Sequence, residues 1–400
     1  MKKIVLIIID GLGDRPIAAL GNKTPLEAAE TPNLDFLAEN GICGLVELKF
    51  QGATPTSEGA HFSLFGYDPE VYKIRRGIIT ATGAGLKAKK GDVALRGNFA
   101  TVDKELNMTD RRAGRIKNPE PLIKALEGIK IDGVRFLLKS AMEHRLGIIM
   151  RGKNLSPDIS DGDPHYGKLG KKARKVKPLN KTANAVFTAK VLNKFLKRAS
   201  RVLKAHSLNK KREEMELPVA NYILVRGAST VKKLPSFKKR YNLKACCIAG
   251  KFLYQQIGRI LGMDLIKIKG ANGLVNTNLE GKVQAVKKAL RKYNFVFLHI
   301  KATDSLAEDG NFKGKKEFVE KIDKSLKPIL NLKDTLIVAT ADHSTCCSLK
   351  RHCSEPVPIL IFGDGKDSVK EFSEKVCQKG KLGRIKQIKL MSKILTIAKE

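Results

Sequence analysis

The chain opens on an unbroken aliphatic and β-branched run, Ile4-Val5-Leu6-Ile7-Ile8-Ile9, cut off by Asp10-Gly11-Leu12-Gly13-Asp14. A run with no polar alternation reads as a strand buried on both faces, the pattern of a parallel sheet. Similar runs return late in the chain, at Tyr222 to Val225, Phe295 to Ile300, Thr335 to Val338 and Val357 to Phe362. Between them the period changes to that of a helix. Phe187, Val191 and Phe195 stand four apart behind Thr182, a side chain suited to an N-cap. Further helices are predicted over Gly281 to Lys292 and over Lys315 to Leu326, the second stopped by Pro328. Strands alternating with helices predict an α/β fold with a doubly wound, mostly parallel sheet.

From about residue 88 to 175 this alternation breaks. Short strand signals at Val93 to Leu95, Val134 to Leu138 and Leu146 to Met150, with one helix near Pro119 to Leu126, predict a smaller inserted α+β unit. The basic stretch Lys168 to Pro178 reads as its return linker. The expected organisation is residues 1–87 and 176–400 in one domain and 88–175 in the insert. At roughly 150 residues per domain, a chain of 400 has room for both.

A hydrophobic fraction of 42% excludes a disordered chain. No run approaches the roughly 20 apolar residues of a membrane span. The N-terminal run breaks at Asp10 with no small-residue cleavage site, so neither a membrane nor a secretory route is expected. The seven cysteines include two adjacent pairs, Cys246-Cys247 and Cys346-Cys347, and no C-x-x-C pair. That usage predicts a reduced, cytoplasmic protein. With 76 Lys+Arg against 40 Asp+Glu, the net charge of +36 raises nucleic acid or an anionic small molecule as partner. The chain has no Trp and only 6% aromatics, so base stacking is poorly supplied and nucleic acid is not expected.

The chemistry-bearing residues sit where open α/β sheets place ligands, at strand ends. Asp10 ends the first run, Asp304 follows the Phe295 run, Asp342-His343 follows the Thr335 run, and His352 stands nine residues further on. Three carboxylates and two imidazoles suit a pair of divalent ions. Each alone fits a cap or turn equally well, but carboxylates that repeatedly terminate buried strands need a counter-charge. Ser57, in Thr56-Ser57-Glu58-Gly59-Ala60-His61, has two readings. It is either a helix cap or a nucleophile activated by a metal at a helix start. For gripping a small anion the candidates are Arg96, Asn98, Arg112, Arg115, Arg145 and Lys301, with the polar cluster Asp161, Asp163 and His165. A solvated or structural side chain is the alternative for each.

Several segments together carry a family likeness: Asp10-Gly11-Leu12-Gly13-Asp14-Arg15-Pro16, Thr24-Pro25-Leu26-Glu27-Ala28-Ala29, Thr31-Pro32-Asn33-Leu34, Ser57 to His61, Ile159 to His165, Gly270-Ala271-Asn272-Gly273, His299 to Asp304, Ala341 to Thr345 and Lys350-Arg351-His352. In this order the chain resembles the archaeal-type cofactor-independent (2,3-bisphosphoglycerate-independent) phosphoglycerate mutases of the alkaline phosphatase superfamily. The resemblance implies an alkaline-phosphatase-like fold whose insert covers the substrate. It also implies interconversion of 3- and 2-phosphoglycerate through a phosphoserine on Ser57, in glycolysis and gluconeogenesis. Asp10, Ser57, Asp342 and His343 are then expected to hold one divalent ion, and Asp304 and His352 a second, as Mn²⁺, Mg²⁺, Co²⁺ or Zn²⁺, with no need for 2,3-bisphosphoglycerate. Two positions depart from the family pattern. Glu308 stands where a His ligand is expected, which brings an oxygen donor and one more negative charge, and Thr80 stands where a Glu is expected. A metal-dependent phosphomonoesterase is the rival enzyme, and a basic pseudoenzyme scaffold the rival outside enzymology.

Overall fold

The structure is a computed structural model that describes residues 1–48, 56–72, 75–164, 171–230 and 234–400. The chain forms two compact units, Met1–Pro69 with Leu234–Glu400, and Glu70–Lys233.

The first unit is built on an eight-stranded sheet. Strand Lys3–Ile9 runs parallel between Phe295–Ile300 and Thr335–Thr340. Ala245–Ala249 and then Asp264–Leu265 extend the parallel sheet beyond Phe295–Ile300. On the opposite flank Val357–Phe362 is antiparallel to both Thr335–Thr340 and Gly41–Glu47, and Gly383–Lys386 pairs parallel with the latter. Ile4 to Ile9 are completely buried, as an unalternated run requires. Helices Leu279–Ala289 and Phe312–Leu326 begin earlier than their apolar periods suggest. The reason is capping: Asn278 and Asn311 accept the backbone N–H groups of Gly281 and Gly314 at 2.8 and 2.9 Å. Register then sets the site. Ile9 pairs with Ile300 and Ile8 with Thr340, so the three central strands end at one level and Asp10, Lys301 and Asp342 follow together.

After Asp342 comes a small hairpin, Ser344–Cys346 against Arg351–Cys353. Cys346 and Cys353 are joined in a disulfide, which corrects the expectation of a wholly reduced chain. Its partners come together only because two short strands pair, and linear spacing carries no sign of that.

In the second unit Val93–Val102 lies antiparallel between Arg145–Arg151 and Tyr222–Thr230, with Val134–Met142 beyond Arg145–Arg151. Helix Ala183–Ala205 covers this sheet, Phe195 stacking on Phe136 with ring centroids 3.9 Å apart. Two expectations change here. Tyr222 to Val225, expected in the parallel sheet, instead pairs with Val93–Val102, Ile223 opposite Phe99. The unit accordingly spans Glu70 to Lys233 rather than 88–175. The supposed linker is also bound in where it is described: Ala173 N–H reaches Leu106 O at 2.9 Å and Val176 N–H reaches Asn193 Oδ1 at 3.1 Å. Lys168 to Gly170 lie outside the described residues. Among the described residues no helix is long and apolar enough to cross a membrane.

Candidate metal centre

Past Asp10 the chain turns through Gly11 at φ +65°, where a Cβ atom would stand 2.6 Å from Thr345 Oγ1 and 2.7 Å from Asp304 Cβ. Only glycine lets the ends of the three strands converge this closely. Asp10, Asp342 and His343 offer ligand atoms within 4.8 Å of one another, and Asp304, His343 and His352 do the same. Asp10, Asp304, Asp342 and His343 are completely buried. The resemblance places His343 with Asp10, Ser57 and Asp342 alone. The structure sets it within reach of both groups, its ring stacked on that of His352 at 3.7 Å.

Proton accounting shows what the cluster lacks. The Thr345 hydroxyl donates to Asp304 Oδ1 at 2.6 Å, so toward His343 Nδ1, 3.1 Å away, it can only accept. His343 therefore carries its proton on Nδ1 and a lone pair on Nε2. That lone pair lies 3.2 Å from Asp342 Oδ2 and 3.7 Å from Asp10 Oδ1. Burial holds the His343 pKa below its ordinary value, so protonation does not relieve the repulsion. Among the described residues neither His343 Nε2 nor Asp342 Oδ2 has a hydrogen-bond partner. Two buried acceptors facing each other are the arrangement that a divalent ion resolves, and the donor set fits one.

Lys301 meets part of this need. Its Nζ lies 3.3 Å from Asp10 Oδ1 and forms an ion pair with Asp304. Burial and the charge of Asp10 push the Asp304 pKa up, but His352 and Lys301 outweigh them and hold it below the carboxylate range. Expected on the substrate, Lys301 is here the counter-charge of two carboxylates. Glu308, at the end of helix Ala302–Glu308, keeps 53% of its side chain exposed, with Oε1 3.8 Å from His352 Nε2. It borders the second group without joining its tight cluster, and burial followed by repulsion from Asp304 raises its pKa.

Ser57 is not the cap. Thr56 Oγ1 accepts the Gly59 N–H at 3.2 Å, which leaves Ser57 as the buried first residue of helix Ser57–Leu64. One turn on, His61 Nδ1 lies 2.8 Å from Ser57 O and 3.3 Å from Asp342 Oδ2. Burial lowers the His61 pKa, but the adjacent Asp342 more than offsets this and the net shift is upward. His299 Nε2 lies 3.1 Å from Asp10 Oδ2, beneath the Tyr254 ring with centroids 3.5 Å apart. Burial takes the His299 pKa down to about 4, so it stays neutral near pH 7 and donates that bond. The sequence assigned no role to His61, His299 or Thr345. The one available signal was the spacing of His61 four residues after Ser57, which puts both on one helix face.

The second unit gathers several anion-binding candidates by itself. Asn98 lies opposite Arg145, and Arg96 opposite Gly147, on paired strands. Buried His144 has its pKa taken down to about 3, first by burial and then by Arg145, Arg112, Arg96 and Arg115. Four guanidinium groups acting on one imidazole share a small region. Asp163 instead accepts from Arg111 Nε at 3.0 Å, and Asp161 from the Gly227 N–H at 2.8 Å, so both brace the unit's own framework. Thr80 is buried in helix Arg76–Gly83. His165 lies outside the described residues.

Comparison with known proteins agrees with this geometry. The family model described as Metalloenzyme superfamily matches residues 2–396. A 2,3-bisphosphoglycerate-independent phosphoglycerate mutase 1 of Archaeoglobus fulgidus is 44% identical over 99% of both chains. Its counterpart in Methanocaldococcus jannaschii is 42% identical over 99% of this chain and 97% of its own. Among solved structures, the cofactor-independent phosphoglycerate mutase from Thermoplasma acidophilum superimposes with a TM-score of 0.73 at 35% identity, over 100% of both chains. A protein from Pyrococcus horikoshii gives 0.83 at 33% identity, over 100% of this chain and 97% of its own. The α/β fold is thus shared with the Thermoplasma acidophilum enzyme, and the chain belongs to the metalloenzyme superfamily and, within it, to the 2,3-bisphosphoglycerate-independent phosphoglycerate mutases.

Proposed function

We propose that this chain interconverts 3-phosphoglycerate and 2-phosphoglycerate through a phosphoserine on Ser57, as a cytoplasmic enzyme of glycolysis and gluconeogenesis. The observation that carries this reading is the link from the Ser57 carbonyl through His61 to Asp342. It seats a buried serine, at a helix start, beside a cluster of acceptors short of a cation. Asp10, Ser57, Asp342 and His343 are assigned to one divalent ion, and Asp304, His352 and Glu308 to a second. When bound, the ions supply Lewis-acid charge that lowers the serine pKa and offsets the phosphate.

The remaining work falls to the chain. Ser57 Oγ attacks phosphorus, and the start of its helix favours the negative phosphoryl oxygens. As the Oγ–P bond forms, the glycerate O–P bond breaks and the proton given up by Ser57 ends on the leaving glycerate oxygen; the 2-hydroxyl later takes the group back, and its own proton returns to Ser57 Oγ. Neutral His299 orients Asp10 through its Nε2–H. Within the second unit, Arg96, Arg112, Arg115, Arg145 and Asn98 are assigned to anionic groups of the small phosphorylated substrate.

The test is ³¹P NMR of the purified chain with 3-phosphoglycerate, Mn²⁺ and no 2,3-bisphosphoglycerate. The 2-phosphate resonance should grow without inorganic phosphate. Accumulating inorganic phosphate in its place would assign a phosphomonoesterase.

Glu308 bears on the choice of ion. Three aspartates and a glutamate bring four negative charges to the two sites, one more than a His at position 308 would leave, and oxygen donors favour Mn²⁺ or Mg²⁺ over Zn²⁺. Glu308→His should move the metal optimum toward Zn²⁺ or Co²⁺ and change the rate by about 5- to 150-fold, the equivalent of about 1–3 kcal/mol. Glu308→Ala should lose metal and activity together. Unchanged metal content and rate in both variants would remove Glu308 from the centre.

A further inference from the structure

Cys346 and Cys353 occupy a particular place in their hairpin. Thr345 stands directly opposite His352, Cys346 opposite Arg351 and Cys353 opposite Ser344. The disulfide therefore runs diagonally across the Thr345–His352 pair, with Cα atoms 6.0 Å apart. Side chains alternate along a strand, so the cystine lies on one face of the hairpin while Thr345 and His352 project from the other. On that second face both residues meet Asp304: Thr345 Oγ1 donates to Oδ1 at 2.6 Å, and His352 Nε2 lies 3.3 Å from the same oxygen. The covalent bond backs directly onto the residues that frame Asp304.

We propose that Cys346 and Cys353 form a reversible disulfide whose redox state sets the metal affinity of the Asp304–His352 group, a proposal that rests on the two-ion reading above. Two strands of three residues do not hold a hairpin by backbone pairing alone. With the bond closed, His352 is held toward Asp304 before any ion arrives. With the bond open, ordering His352 is an added cost of binding the ion, and affinity falls.

The oxidant is a low-molecular-weight disulfide. The Cys353 thiolate attacks one of its sulfurs, breaks that S–S bond and expels a thiolate that takes up a proton. The Cys346 thiolate then attacks the mixed disulfide at the Cys353 sulfur and expels the second small thiolate, which is also protonated. Two protein thiols are oxidised, one small disulfide is reduced to two thiols, and the protons balance. Cys353 is 6% exposed and Cys346 is completely buried, so Cys353 is the point of first attack.

The experiment uses the full chain in two states, reduced with a phosphine or oxidised with a small-molecule disulfide, and needs no substrate. Thiol titration in denaturant should give the full seven cysteines after reduction and the five free ones after oxidation, with peptide mapping naming the bonded pair. Calorimetric titration with Mn²⁺ should show one equivalent binding roughly 10- to 100-fold more tightly in the oxidised state, the range over which groups supporting a ligand tune metal affinity, and His352→Ala should remove that equivalent. Cys346→Ser and Cys353→Ser, checked for folding by circular dichroism, should bind like the reduced parent under both conditions.

Seven thiols persisting after oxidation, or equal Mn²⁺ affinity in the two states, would overturn the proposal. So would a zinc equivalent that copurifies with the reduced chain and vanishes in Cys346→Ser, since it would assign the pair to a metal. No Mn²⁺ binding in either state would overturn the metal centre along with it. A chain that shows the redox shift yet interconverts no phosphoglycerate fails the functional reading alone, and an active mutase without the shift fails this proposal alone.

Discussion

Ser57→Ala should reduce phosphoglycerate interconversion by roughly 10⁴- to 10⁶-fold, the scale on which removing a covalent nucleophile acts. The same substitution should leave the fold and most of the bound metal in place. Thr56, not Ser57, caps helix Ser57–Leu64, so alanine uncaps nothing and is itself a good helix former. Asp10, Asp342 and His343 still converge without the hydroxyl. The link that positions the helix start uses the Ser57 carbonyl, which alanine keeps. Three readouts separate the possibilities: ³¹P NMR for rate, elemental analysis for metal, and thermal melting for stability. Loss of all three together would make Ser57 a structural residue, and an active Ala variant would end the phosphoserine route.

Asp342→Asn should be more damaging to the site as a whole. The carboxylate accepts the Gly11 N–H at 3.2 Å through Oδ1 and faces His61 and His343 through Oδ2. An amide keeps the shape but not the charge. Mn²⁺ affinity should fall by about 100-fold or more, and activity by about 10³-fold. The metal-free protein should also change its response to pH. Asp342 holds the His61 pKa above its ordinary value. Folding therefore gains stability from the protonated imidazole that is full below about pH 6.5 and fades as pH rises through the raised value. In the presence of chelator, the parent's melting temperature should exceed the variant's by more at about pH 6 than at about pH 9. An equal gap at both values would mean that His61 does not depend on Asp342.

These residues also show how far the sequence could be read. Ile4 to Ile9, Phe295 to Ile300 and Val357 to Phe362 were legible as strands because burial on both faces leaves no room for polar alternation. The Asp residues just beyond two of them followed from the same logic. Gly41–Glu47 and Ala245–Ala249 give no such signal, because Gly, Ala and Cys carry little strand preference, although both lie inside the sheet. Tyr222 to Val225 reads as a strand from its own pattern, but that pattern does not say which partner it meets, and it pairs in the second unit's sheet. His61 and His299 were in plain view but silent. Their roles arise from contacts with Asp342 and Asp10, from distant parts of the chain, which no spacing encodes.

One consequence follows from Lys301. Its ammonium already lies between Asp10 and Asp304, so the strand ends do not need a divalent ion to come together. The convergence of three strand ends is thereby held by a charge that belongs to the chain itself, supplied by the residue that directly follows strand Phe295–Ile300. Fold and site share one electrostatic fastening, and a change at position 301 should be felt in both.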